Sequence, residues 1–202
     1  MDDTTRTLST WDRSALWGTI LIGIVAAGWT FATAVWRIIE IAPNREVPVV
    51  VHFADTEAAL PVGPDGTLIT VLADQVTVRV SDINALSHAL LMVGTAIGAI
   101  TVITVIGCTV LLCRELIAGR AFSPRAVGAV GVGVLGGLIG GVVAWFFSNM
   151  GVNGALAALG AFEASTTAPI EPTLIFAIAA LGSVTAAFTI GGRIQRETEG
   201  LV

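Results

Sequence analysis

Charged side chains are scarce in this chain. They make up 12% of its 202 residues, against about 25% in soluble globular domains. There is no lysine, so all ten basic residues are arginines, which we interpret as a bias of composition. The formal net charge of −5 is spread thinly along the sequence. This distribution indicates no nucleic-acid partner.

Residues that bind metals or form disulfides are also few. The only cysteines, Cys108 and Cys113, are five residues apart and point to different faces of a helix, which disfavours a metal or disulfide role. The only histidines are His52 and His88. An outer metal site would combine them with the acidic residues near them in sequence, Asp55, Glu57, Asp74 and Asp82. No ligand spacing supports that alternative, so we expect solvated loop residues, no metal site and no cofactor.

Four apolar runs dominate the sequence, and each has the roughly 20 residues that a helix needs to cross a bilayer. They are Ser14–Ile39, Leu86–Leu112, Val127–Phe147 and Thr173–Gly191. We therefore predict an all-α membrane protein with four transmembrane helices in a bundle, forming a single membrane domain over residues 1–202. A cleaved signal peptide ending near Ala34 is the alternative for the first run, which is longer than the usual signal sequence.

Residues 41–84 differ in character and predict a small extracytoplasmic β-sheet between helices 1 and 2. The stretch Val47–Phe53 is rich in β-formers, Gly63–Gly66 is a turn signal, and Gln75–Val80 alternates strictly. We expect three strands, with Val76, Val78 and Val80 on one face. About 45 residues bury too little surface to fold alone. The valine face therefore needs a cover from the helix bundle, the second outer loop or a partner.

Small residues mark the contacts expected between helices, because they let two backbones approach closely. In the second run, Gly94 and Gly98 share a face with Thr101, Thr104 and Cys108. We favour packing there over a pore lining, since threonines also bond to their own helix. The third run repeats glycine every fourth residue, at Gly133, Gly137 and Gly141 and at Gly136 and Gly140. It predicts either the crowded centre of the bundle or a face for homo-oligomers.

Arginine positions predict the orientation. Seven of the ten lie in the two terminal segments and the link Arg114–Arg125, and the outer loop Ser148–Pro172 has none. Short arginine-rich loops stay in the cytoplasm, so we expect a multi-pass cell-membrane protein with both termini cytoplasmic. Within the link, Gly119 ends one helix and Ser123 with Pro124 starts the next. A short surface helix is expected at Ala155–Phe162.

Two cytoplasmic pieces carry opposite charges and form a candidate docking patch. The link contributes Arg114, Arg120 and Arg125, and the terminal segment contributes Glu197 and Glu199. The patch holds the terminal segment in place, docks a partner protein or binds a small ligand; we favour the first.

The same two pieces, Arg114–Arg125 and Gly192–Val202, resemble the best marked stretches of a bacterial membrane family known as domain of unknown function 2975. The order of apolar runs, β-rich loop and basic link is also similar to that family. The resemblance implies a four-span inner-membrane protein, often encoded beside a small helix-turn-helix repressor. The family has no accepted activity, so it implies no catalytic residue.

Three classes of function remain. A non-enzymatic regulatory or accessory membrane subunit, with an outer sensing loop and an inner docking patch, fits the pattern best. A small transporter or channel component is the alternative, although no span carries a charge at its middle, where transport sites usually have one. An enzyme is disfavoured because no nucleophile–base pair is visible. We expect no catalytic or cofactor-binding residues. The expected partners are the bilayer, a cytoplasmic or membrane protein, and further copies of the chain that associate through the glycine-rich third helix.

Overall fold

The computed structural model describes residues 9–60, 65, 67–160 and six positions between 182 and 191. This part of the chain is mostly helical, with a small sheet between its first two helices. In chain order the elements are α1 (Thr10–Ile41), β1 (Val47–Leu60), β2 (Ile69–Val80), α2 (Ala85–Ile117) and α3 (Pro124–Ala158). The fourth predicted span, 173–191, lies outside the described residues apart from those six positions.

Each helix is longer than the apolar run from which it was predicted. The three helices contain 32, 33 and 35 residues, which corresponds to roughly 50 Å each at 1.5 Å per residue. All three are long and apolar enough to cross a membrane. Because the hydrocarbon core is roughly 30 Å thick, each helix has about a dozen residues more than a span requires.

The chain divides into two compact units. The first unit contains α1 up to Val35 and the stretch Ile97–Val143, together with the described residues near Gly191. The second unit contains Trp36–Ala96 and the end of α3 from Ala144. Helices α2 and α3 are continuous and contribute residues to both units.

The sheet lies in the second unit and has two antiparallel strands, where the sequence predicted three. Strands β1 and β2 pair from Val47 opposite Val80 to Leu60 opposite Ile69. A register shift between His52 and Thr56 interrupts the ladder. Residues 69–80 form one uninterrupted strand, so the described residues between β1 and α2 contain a single strand. Of the predicted turn, Asp65 is described, and its φ of 59° is left-handed.

The core of the second unit lies where the valines of the sheet meet the ends of the helices. Val47, Val49, Val51 and Val80 are buried together with five residues from the helices and the loop before α2, namely Ile41, Ile83, Leu91, Ala155 and Leu156. On the predicted valine face, Val80 is buried, Val78 is partly buried and Val76 is 37% exposed. Burial of each valine contributes about 1.5 kcal/mol. Helices cover the valine face of the sheet, and the end of α3 is one of them.

That end of α3 corrects the predicted second outer loop. Ala155–Ala158 continue α3 without a break instead of starting a separate surface helix. Leu159 and Gly160 follow as a turn, and Gly160 has a left-handed φ of 74°. The helix continues past the predicted boundary at Phe147 because Ala155 and Leu156 are buried in the core beside the sheet.

Asn44 holds the junction between the end of α1 and the start of α2. Its Nδ2 donates to the Ile83 carbonyl at 2.8 Å, and its Oδ1 accepts from the Ile83 amide at 3.0 Å. Its own carbonyl accepts from the Asp82 amide at 3.1 Å. Asn44 and Asp82 both have left-handed φ angles, 53° and 57°, which asparagine and aspartate adopt more readily than most residues. Three hydrogen bonds therefore fix this junction from one side chain and its backbone.

Candidate functional site: the arginine link and the contact between α2 and α3

The link between α2 and α3 is a hydrogen-bonded turn of defined geometry. Gly119 follows the end of α2 and has a φ of 71°. The Gly119 amide donates to the Leu116 carbonyl and the Arg120 amide donates to the Glu115 carbonyl, both at 2.9 Å. This is a Schellman motif. The Ser123 hydroxyl accepts from the Ala126 amide at 3.1 Å and caps α3. The predicted helix stop at Gly119 and helix start at Ser123 are both confirmed.

A buried carboxylate, which sequence reasoning missed, joins the two ends of the link. Glu115 is 5% exposed. Arg120 Nη2 donates to its Oε1 at 3.1 Å, and the Ser123 hydroxyl donates to its Oε2 at 2.9 Å. The carboxylate also lies near the capped N-terminus of α3, where a negative charge is favoured by the helix dipole. The signal in the sequence was the spacing of Glu115 to Arg120 and Ser123 across a short hairpin.

The three arginines of the predicted docking patch are in different environments. Arg120 is paired with Glu115, while its side chain remains 58% exposed. Arg114 and Arg125 are exposed and make no ion pair within the described part of the chain. Glu197 and Glu199 lie outside the described residues. The patch as a whole stays a prediction, and the free positive charge of the link is carried by Arg114 and Arg125.

Glycines of α3 lie against α2 in the first unit. A Cβ built on Gly133 would lie 3.2 Å from Cys108 Cβ, and one on Gly137 would lie 3.1 Å from Val105. One on Gly140 would lie 2.9 Å from Thr101 Cγ2. The contact therefore runs antiparallel, with the residue number falling on α2 as it rises on α3.

The second unit has the same kind of contact. A Cβ on Gly94 would lie 2.9 Å from the Ser148 amide nitrogen, and one on Gly151 would lie 2.7 Å from Leu91 Cγ. One on Gly154 would lie 2.6 Å from Ser87 Cβ. The sequence had indicated Gly94 but neither Gly151 nor Gly154, because both were assigned to a loop.

Two of the other predicted packing glycines give a different result. A Cβ built on Gly136 or Gly141 would meet nothing within 4 Å. The remaining one, Gly98, is half-buried. In the first unit the glycines of α3 thus fall into two groups, and those at positions 133, 137 and 140 approach α2.

Helix threonines direct their hydroxyl groups back to their own helix. Thr101 donates to the Ile97 carbonyl and Thr104 to the Ile100 carbonyl, each at 2.8 Å. Thr101 lies against Gly140, whereas Thr104 is exposed. These bonds satisfy the only donor of each hydroxyl, which is how threonine is accommodated in apolar helices. Within the described residues, Thr101 and Thr104 therefore have different surroundings.

An apolar recess of about 140 Å³ lies between α2 and α3 in the first unit. Its lining includes Cys108, Leu112, Ala129 and Val134. Cys108 is half-buried, and both it and Cys113 are free thiols. The recess holds none of the charged groups of the link.

The two histidines have different polar neighbours. His52 Nε2 is 3.2 Å from Gln75 Nε2. His88 Nε2 is 2.8 Å from the Ile41 carbonyl, and the residue is half-buried on the first turn of α2, not in a loop. Among the residues whose side chains the structure describes, which leave out 53–60 and 71–74, no three His, Cys, Asp or Glu side chains are grouped as metal ligands.

Arg37 and Glu40, which are three residues apart near the end of α1, form an ion pair. Arg37 Nη1 lies 2.7 Å from Glu40 Oε2. The other end of the guanidinium donates to the Pro48 carbonyl, which ties α1 to the first residues of β1. This arginine is therefore held within the second unit by the structure of the unit itself.

Comparison with known proteins returns nothing: no protein family, no curated protein and no solved structure matches this chain. The resemblance to domain of unknown function 2975 stays a prediction, and the function has to be argued from the residues described above.

Proposed function

We propose that this chain is an integral membrane protein that acts without chemistry of its own, as a regulatory or accessory subunit. In this proposal α1, α2 and α3 cross the bilayer, the sheet lies on the outer side and the arginine link faces the cytoplasm. A fourth span, residues 173–191, completes a four-helix bundle. The resemblance to a bacterial inner-membrane family agrees with this placement.

The observation that carries the proposal is a folded module built on the surplus length of the helices. Each helix exceeds a bilayer span by about a dozen residues. The surplus of α2 and α3, with the end of α1 and the sheet, encloses a core that includes Val47, Val49 and Leu91. A module with its own core is suited to binding something outside.

Continuity of α2 and α3 supplies the route by which binding outside would reach the link. Both helices run unbroken from the second unit to the turn at Gly119. Close contacts at Gly94 and Gly140 restrict independent sliding, since packed elements move between discrete arrangements. We propose that the inner patch then presents Arg114 and Arg125 to a cytoplasmic partner.

Cysteine labelling in intact cells tests the placement. In a chain with Cys108 and Cys113 replaced by alanine, Asp65→Cys should react with a membrane-impermeant maleimide before permeabilisation, and Ala121→Cys only after it. The opposite order, or equal labelling of both, would refute the orientation.

Purification from native membranes tests the regulatory role. A cytoplasmic protein that copurifies with the native chain should be lost from the variant R114Q/R125Q and retained by R45Q/R79Q, which changes two arginines outside the link. Retention by both variants would remove the link from the docking surface. We choose Arg114 and Arg125 because Arg120 holds the buried Glu115.

A further inference from the structure

Two exposed stripes in the first unit end at the arginines of the link. On α2 the stripe follows spacings of four and three residues through Ile100, Thr104, Gly107 and Leu111 and reaches Arg114. Residues spaced this way share one face of a helix. Ile100 is 64% exposed and Leu111 is 39% exposed.

Helix α3 has a matching stripe that starts at Arg125. It continues through Gly128 to four large apolar side chains at the same spacings, Val132, Leu135, Ile139 and Val142, which are 50–60% exposed. Each stripe therefore has an apolar length and one arginine at the end nearest the link. On α2, Arg114 lies three residues, or about 4.5 Å along the axis, beyond Leu111.

Within the described residues, the link carries a net positive charge. The link contains three arginines and one carboxylate, and that carboxylate, Glu115, is buried between Arg120 and Ser123. Arg114 and Arg125 have no such partner in the described residues. Phe122, 38% exposed, lies between them in sequence.

We propose that Arg114 and Arg125 bind the phosphates of anionic phospholipids whose acyl chains lie along the two stripes. The inference rests on the membrane insertion proposed above and adds the class of ligand. Guanidinium groups match phosphate oxygens in a two-pronged geometry. The depth also fits, because an arginine one turn beyond an apolar stripe reaches the headgroup level. Each arginine near an anionic surface contributes about 1 kcal/mol.

The test uses the full chain purified in a neutral detergent and titrated with dioleoylphosphatidylglycerol, with dioleoylphosphatidylcholine as the comparison lipid. Bound lipid is counted by native mass spectrometry. The native chain should prefer the anionic lipid, and the preference should weaken with salt. The variant R114Q/R125Q should lose about 30-fold in apparent affinity, the factor that corresponds to two arginines.

Two control variants make the result decisive. R45Q/R79Q removes two arginines outside the link and should bind the anionic lipid as the native chain does. R114K/R125K keeps the charge without the guanidinium geometry and should lose less than R114Q/R125Q. Equal binding of both lipids by the native chain, or equal loss in R45Q/R79Q and R114Q/R125Q, would overturn the proposal.

The competing occupant is the acidic part of this chain, Glu197 and Glu199. If those carboxylates hold the arginines, E197Q/E199Q will raise phosphatidylglycerol affinity while the native chain shows no preference, and the lipid proposal fails. A chain that does not float with vesicles in a density gradient contradicts the proposed membrane function instead. A chain that floats but shows no lipid preference contradicts this inference alone.

Discussion

Replacement of Gly94 by alanine is the most direct test of the contact between α2 and α3 in the second unit. The added methyl carbon would lie 2.9 Å from the amide nitrogen of Ser148 and 3.2 Å from the Cα of Ser148. Carbon atoms in good contact stay roughly 3.5–4.0 Å apart. The Ser148 hydroxyl, whose Oγ would lie 2.6 Å from that carbon, can turn away, but the Ser148 backbone cannot. The two helices would therefore have to separate locally by roughly 0.5 Å.

Two opposing terms decide the size of the effect. Alanine is preferred to glycine within a helix by about 0.8–1.0 kcal/mol. Overpacking of a close contact costs about 1–3 kcal/mol, and a backbone obstacle places Gly94 in the upper part of that range. We expect G94A to lower the free energy of unfolding by about 1–2 kcal/mol.

Gly107 is the matched control on the same helix. A Cβ built there meets nothing within 4 Å, so G107A should keep the helix-propensity gain of up to about 1 kcal/mol. Tryptophan fluorescence during unfolding in mixed detergent micelles measures both variants. If G94A is as stable as G107A, the close approach of the two backbones is wrong.

Three further substitutions test the rest of the framework by the same unfolding measurement. G140A should lower the free energy of unfolding by about 1–2 kcal/mol. The double variant T101A/G140A should recover most of that loss because Thr101 is the obstacle. If the losses caused by T101A and G140A simply add in the double variant, the two residues are not in contact. E115A leaves a hydroxyl and a guanidinium without their shared partner and should cost about 1–3 kcal/mol, whereas a loss below about 0.5 kcal/mol would show that the pairing is unimportant. N44A removes two hydrogen bonds to Ile83 and should cost about 2 kcal/mol, with N44G no better; full stability in N44G would assign the role to the backbone angle.

The helices were predictable because their signals are local. Long apolar runs indicate helices in an environment without water, and Gly119 and Ser123 mark ends that depend only on the few residues around them. The ion pair of Arg37 with Glu40 follows from spacing within one turn. The helix ends and the ion pair are each decided within about one helical turn of sequence.

The parts that sequence reasoning missed depend on distant residues. Helix α3 continues to Ala158 because Ala155 and Leu156 are buried beside the sheet, and apolar content alone did not reveal that neighbour. The sheet has two strands because pairing with β1 keeps residues 69–80 in one strand. Such contacts join residues far apart in the chain, which periodicity does not report.

Glu115 shows why a candidate site needs the structure even when its residues are known. By composition the link offers three equivalent arginines, and reversal of any of them would be a reasonable test of docking. The pairing of Arg120 with a buried carboxylate makes them unequal. Removing one partner of a buried pair destabilises the fold. A charge reversal at Arg120 would therefore abolish docking by destabilising the link, and not by removing a contact with the partner.

The distribution of small residues argues for helices that move as a pair. In a water-filled pathway, hydroxyl groups and open glycine surfaces would point toward a common space. Here Thr101 bonds to its own helix and lies against Gly140, and Gly94 lies against the backbone of Ser148. Close contacts of this kind use the small residues for packing, which leaves the exposed apolar faces for lipid or other helices. The described contacts of α2 and α3 are therefore those of closely packed helices.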